Sequence, residues 1–249
     1  MNVIIIQLEK SVIIKVMSLI KDEWSKKDYQ EFVKYLLKQS NLKYESFNKK
    51  LITTKYKMIG IRIPILKEIV KDIRKGNYLE FLKIVGNTYY EEVLIEGLIV
   101  AYSGDKTLME SYIPKIDNWG LCDYFCLNAK FVGRDDTYFP YFLEYIKSKE
   151  EYKVRVGLVM ILGYFVKDMY IKRIFKSIDN IRLDTYYVNM GIAWLLCECY
   201  IKVPKETKEY LLKTKINKWT FNKTISKIKE SYRVSKEDKA YFETLRRTK

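Results

Sequence analysis

Apolar residues recur along this chain at helical spacing and almost nowhere at strand spacing. Phe32, Tyr35, Leu36 and Leu37 make the first stripe. Ile65, Ile69 and Ile73 follow at four-residue steps behind Pro64, whose fixed φ suits the first turn of a helix. Leu79, Phe81, Leu82 and Val85 mark a short helix before Gly86. Similar stripes run through residues 93–102, 108–116, 119–131, 138–146, 154–165, 171–178, 187–201, 210–212, 225–228 and 241–245. They are punctuated at Gly76-Asn77, Ser103-Gly104, Asp135-Asp136 and 177–179. Only the β-branched run Val3 to Ile6 is ambiguous between strand and helix.

This pattern predicts an all-α fold of about a dozen helices joined by short turns, stacked as helical pairs. The breaks at Asp105, Asp136 and Asn180 are 31 and 44 residues apart. That is close to the ~40-residue period of HEAT and armadillo arrays. A HEAT-like helical repeat solenoid (an α-α superhelix) is therefore expected as a single domain over 1–249, closed by a basic helical segment at 201–249. Such a solenoid offers a concave wall that suits a rod-shaped ligand. Trp24 and Trp219 are read as core residues of these helices.

Charge narrows the partner. Lys+Arg number 46 against 31 Asp+Glu, a net +15 with pI ≈ 9.4. Residues 201–249 hold 15 Lys/Arg and 6 Asp/Glu, so this fifth of the chain carries +9 of the +15. A clustered positive charge favours a polyanion and speeds encounter with it. Frequent Lys, Ile, Tyr and Asn also follow from an AT-rich coding sequence, and a solvated helical cap would look similar.

The chain has no histidine and four cysteines: Cys122, Cys126, Cys197 and Cys199. Ser-His and Cys-His nucleophilic catalysis are thereby excluded. No C-x-x-C occurs, and Cys197 and Cys199 would point apart on a helix, so no metal is expected. Buried reduced thiols fit a cytoplasmic protein. Residues 1–17 are apolar in places, but Gln7, Glu9 and Lys10 interrupt them, so neither a membrane span nor a cleavable leader is read there. No phosphate-binding glycine loop or hydrolase elbow is present. Any chemistry must run on carboxylates, Lys, Tyr, Arg or aromatics.

One carboxylate draws attention. Asp123 lies four residues after Trp119, so both share one helix face. By spacing alone, Asp123 also fits a surface aspartate paired with Arg155 or Arg134, and Trp119 and Trp194 also fit the core.

Four stretches together resemble the AlkD-type DNA alkylation-repair glycosylases, which are built from HEAT-like repeats. They are Gly60-Ile61-Arg62-Ile63-Pro64 with Leu66, Val70 and Asp72-Ile73; Trp119-Gly120-Leu121-Cys122-Asp123; Tyr152-Lys153-Val154-Arg155; and Tyr187-Val188-Asn189-Met190-Gly191-Ile192-Ala193-Trp194. Their order and spacing resemble the family over roughly residues 25 to 235. The resemblance implies that Asp123 is the catalytic aspartate and that Trp119 and Trp194 flank the lesion's deoxyribose. It implies that Arg155 grips a backbone phosphate and that Tyr187 and Arg62 lie near the DNA. It further implies a monomer acting on alkylated double-stranded DNA, without cofactor and without flipping the base. Two positions depart from the pattern: Asn118 stands where the family often has tryptophan, and Arg62 where a relative has glutamine.

The chemistry is consistent with these residue types. N3-alkyladenine and N7-alkylguanine are cationic and leave without protonation, so a chain lacking histidine can release them. A fixed carboxylate stabilises the oxocarbenium character at C1′ and orients water. Indole faces add cation–π attraction of ~0.5–2 kcal/mol each. The alternatives are a non-catalytic binder of DNA structure on the same scaffold and a helical-repeat protein scaffold.

Overall fold

The computed structural model of the chain describes residues 18–248. Among them are fourteen α-helices and no strand. In chain order they are α1 (Lys26–Lys38), α2 (Leu42–Leu51), α3 (Ile63–Ile73), α4 (Tyr78–Ile84), α5 (Tyr90–Ser103), α6 (Lys106–Tyr112) and α7 (Trp119–Asn128). There follow α8 (Tyr138–Tyr145), α9 (Glu151–Tyr164), α10 (Asp168–Asp179), α11 (Tyr186–Lys202), α12 (Pro204–Lys213), α13 (Lys218–Glu230) and α14 (Lys236–Thr244). The ambiguous run at Val3 to Ile6 lies outside the described residues.

The order of packing makes this a helical repeat solenoid. Helices α3, α5, α7, α9, α11 and α13 pack on one another in succession, while α6, α8, α12 and α14 each pack beside a member of that row. Two members of the row are buried on nearly every side, α5 from Tyr90 to Ala101 and α9 from Val154 to Leu162. From α5 to α13 the row helices begin 29, 32, 35 and 32 residues apart. This repeat is shorter and more even than the breaks suggested. The reason is that the breaks are not equivalent points: Asp105 caps the start of α6, Asp136 precedes α8, and Asn180 ends α10.

Three further departures have local causes. Helix α2 was not foreseen, because none of its residues is buried and so it shows no core stripe. It is held instead by the Asn41 cap on the Tyr44 N–H (2.9 Å) and a Glu45–Lys49 pair (2.5 Å). The stripe at 119–131 is broken after Asn128, where residues Lys130–Arg134 form a 3-10 turn. Trp219 is not core: it is 44% exposed. The buried face of α13 is Thr220, Phe221, Thr224, Ile225 and Ile228, and a residue two positions before Phe221 points to the opposite side. Trp24, in contrast, is buried edge-on against Phe81 at 4.9 Å.

The loop Ile59-Gly60-Ile61 depends on one buried acid. Gly60 adopts a left-handed φ of 85°, and a Cβ there would sit 2.6 Å from the Glu45 Cβ. The Glu91 carboxylate, on α5, accepts the N–H groups of Ile59 (3.0 Å), Gly60 (2.7 Å) and Ile61 (3.3 Å). Burial pushes this carboxyl up, and the three N–H groups oppose the shift. Two more buried acids on α5 are also partnered: Glu92 accepts from Tyr29 Oη (2.5 Å), and Glu96 from Lys115 Nζ (2.6 Å).

Glu91→Ala leaves those three amide groups buried without an acceptor. At ~1–3 kcal/mol for each orphaned group, the variant is expected to lose about 3 kcal/mol or more in urea unfolding. A loss below about 1 kcal/mol would show that the loop finds other partners.

Candidate active site

Asn118 is the N-cap of helix α7. Its side chain is fully buried and accepts the Leu121 N–H at 3.0 Å, capping the helix. Its amide donates to Asp117 (2.7 Å), and Asp117 accepts the Lys55 N–H (2.7 Å). The position that departs from the family pattern is therefore the anchor of the candidate helix. Gly120 lets α7 approach α5, because a Cβ there would lie 2.6 Å from Tyr90 Oη. One turn along, Trp119 and Asp123 share a face, as their spacing required. Trp119 Nε1 donates to the Leu51 carbonyl at 3.0 Å, which ties α7 to the end of α2.

Asp123 faces Arg155 on α9. Arg155 Nε donates to Asp123 Oδ1 at 3.0 Å, and Nη2 donates to Oδ2 at 2.8 Å. The pair is parallel and bidentate, the strongest geometry for these groups. Arg155 Nη1 donates to the Tyr187 carbonyl at 2.9 Å. One turn earlier on α9, Glu151 accepts the Tyr187 N–H at 3.1 Å. Two charged side chains of α9 thus hold the first turn of α11, whose own Thr185 supplies no side-chain cap.

These residues line a cleft of about 440 Å³. Its walls are Leu51, Trp119, Asp123, Arg155, Tyr186, Tyr187, Met190, Trp194 and Lys227. Five of the six residues singled out by sequence meet here. The sixth, Arg62, does not line the cleft; it is exposed at the N-cap of α3. Sequence reasoning missed Leu51, Tyr186, Met190, Lys227 and the supporting Glu151. Met190 was within reach, since Tyr187, Met190 and Trp194 fall at i, i+3 and i+7 on one face of α11. Leu51 and Lys227 carry no local signal.

The electrostatics follow from burial. The Arg155 side chain is 6% exposed and that of Asp123 15%, so the carboxylate is the more open end of the pair. Burial pushes the Asp123 carboxyl above the usual carboxylate range, while the guanidinium across both oxygens pulls against it. For Arg155, burial opposes the charge and the carboxylate outweighs it, so it titrates above its ordinary value. Cys122 and Cys126 lie behind the site, buried with free thiols and sulfurs 4.0 Å apart.

A fold of stacked helices with an acid and two indoles lining one cleft, in a basic chain, defines a class that sequence comparison makes explicit. The family model for DNA alkylation repair enzymes matches residues 14–228, and the chain belongs to that family. No curated protein matches the chain. No helix among the described residues is long and apolar enough to cross a membrane.

The Asp123–Arg155 pair should be strongly coupled. Asp123→Asn and Arg155→Met each leave a buried charge without its full partner and are expected to cost about 3 kcal/mol, the lower end for broken buried pairs. The double variant should lose clearly less than the sum of the two. Additive losses in a denaturant cycle would show that the two side chains do not interact in solution.

Proposed function

We propose that this DNA alkylation repair enzyme is a monofunctional DNA glycosylase. It hydrolyses the N-glycosidic bond of cationic purines, N3-alkyladenine and N7-alkylguanine, in duplex DNA without flipping the base. The observation that carries this reading is the Asp123 carboxylate, fixed on both oxygens by Arg155, opening into a cleft that Trp119 and Trp194 also line.

Each part has a task in the reaction. The C1′–N bond breaks and its electron pair neutralises the cationic purine, so no acid is required. The sugar gains oxocarbenium character. Asp123 stabilises that charge, and the two indole faces add to it. Each carboxylate oxygen takes one N–H from Arg155 and keeps acceptor capacity for a water. That water adds to C1′ and its proton passes by way of the Asp123 carboxylate to solvent, leaving an abasic site and a free, neutral alkylpurine. A base that stays in the stack needs no enclosed pocket, which suits an open cleft.

Arg155 acts first by orienting Asp123 and keeping it ionised. Three of its five N–H groups are used inside the protein, so a phosphate at the cleft would draw on the other two. In this reading Lys227, at the cleft wall and paired with Glu230 (2.9 Å), and the exposed Arg62 at the N-cap of α3 hold phosphates elsewhere along the duplex. The competing reading is a non-catalytic DNA binder, in which the buried pair is structural only.

The test is release of free 7-methylguanine and 3-methyladenine from methylated duplex. Asp123→Asn should slow single-turnover release by about 10²–10³, as for other single electrostatic groups. Uracil should not be released by parent or variant, because nothing protonates a neutral leaving base. A folded Asp123→Asn protein that excises at the parental rate would favour the non-catalytic reading.

A pH profile separates the roles of Arg155. Asp123 must be ionised, so activity falls as pH drops through its raised pKa. The acid limb should lie above the ~3.9 of a free aspartate. Arg155→Gln removes the group that pulls the pKa down, so the limb should move to still higher pH. If only DNA affinity changes and the limb stays in place, Arg155 serves phosphate rather than Asp123.

A further inference from the structure

The aromatic surface does not end at the cleft. Tyr186, at the cleft wall, is 58% exposed, and the 44% exposed Trp219 packs against it at 5.5 Å between ring centres. Tyr187 continues the row at 5.1 Å from Tyr186. Neither Tyr186 nor Trp219 is needed to fill the core. Two large rings left side by side in water are a feature that the glycosylase reading does not use.

Their position is set by two helices running alongside each other. Helices α11 and α13 are neighbours in the row. Tyr186 opens α11 and meets Trp219 at the start of α13. Eight residues further along each, Trp194 and Lys227 both line the cleft. Eight residues of helix rise about 12 Å, the height of roughly three to four stacked bases at ~3.4 Å each. On α13, Trp219, Lys223 and Lys227 fall at i, i+4 and i+8 on one face. Lys215 and Lys218 precede Trp219 in the chain, and both are exposed. Among the described residues, Lys215, Lys218 and Lys223 have no ion-pair partner.

Exposed rings set among unpaired cations are the arrangement that holds single-stranded nucleic acid: bases stack on the rings while lysines follow the phosphates. A base inside an intact duplex has both faces covered by its neighbours. Only an unstacked base can present a face to Trp219. We propose that Tyr186 and Trp219 form a stacking platform for an unpaired nucleobase a few positions from the site of chemistry. The protein then prefers DNA with a single-stranded interruption beside the duplex held by the cleft. This inference rests on the reading of the cleft as a DNA site.

The test compares the full chain's affinity for an unmodified blunt duplex with that for the same duplex carrying a short single-stranded gap. The parent should bind the gapped probe more tightly by on the order of tenfold, the effect of stacking one base on one ring. Trp219→Ala should bring the ratio of the two affinities close to one, while Trp219→Phe, which keeps a ring, should retain most of it. A melting curve for each variant confirms folding. An equal affinity of the parent for both probes, or a ratio unchanged in Trp219→Ala, would overturn the platform while leaving the cleft's reading intact. Failure to bind any DNA would overturn both. Self-association of the parent that is lost in Trp219→Ala would also overturn it and assign the ring to a contact between copies.

Discussion

The Arg155 guanidinium is the joint on which the site depends. It fixes both oxygens of Asp123 on α7 and the Tyr187 carbonyl on α11, while its own backbone belongs to α9. Three successive members of the helical row are thus registered by one planar, five-donor group. A lysine could not do this, because it offers one point charge and no fork. The arrangement also answers a difficulty of burial. Burial at this depth favours the protonated form of an isolated carboxylate. The guanidinium opposes that, and the carboxylate in turn holds the guanidinium's charge. The pair is buried unevenly, with the acid the more exposed end, which is the end the proposed reaction would use.

The scaffold repeats this logic with other acids. Glu91 holds the loop around Gly60 through three N–H groups, Glu151 caps the first turn of α11, and Asp117 supports Asn118 at the start of α7. Glu91 is fully buried and Glu151 and Asp117 half-buried, and each accepts donors at a place where a helix end or a loop would otherwise be left unsatisfied. A chain with a large excess of basic residues therefore spends several of its acids on internal structure. The positive charge remains outside, where a polyanion can reach it.

Much of this was legible from residue order. Stripes recurring at 3.6 located α3 and α13, which bury one face, while long apolar runs located α5, α9 and α11, which are buried on nearly every side. The shared face of Trp119 and Asp123 follows from four residues of separation. The four short stretches that resemble the alkylation-repair glycosylases fall within the span matched by the family model. Where the sequence misled, one cause was a missing local signal and the other a residue type read over its helical register. Helix α2 buries no residue fully and so has no core stripe to display. Trp219 looks like core by residue type, yet it sits on the wrong side of α13.

By itself, then, the sequence determined an all-helical repeat, its basic character and the residue types available for chemistry. The absence of histidine alone restricted any acid or base work to a few side chains. Only the tertiary structure decided who meets whom. Asp123 finds Arg155 across 32 residues, and Trp119 finds the Leu51 carbonyl across 68. It also decided that Arg62 stays apart from the cleft and that Trp219 faces solvent beside Tyr186. Periodicity records which side of a helix is apolar. Which residues of separate helices meet is set by how those helices pack, and no local pattern encodes that.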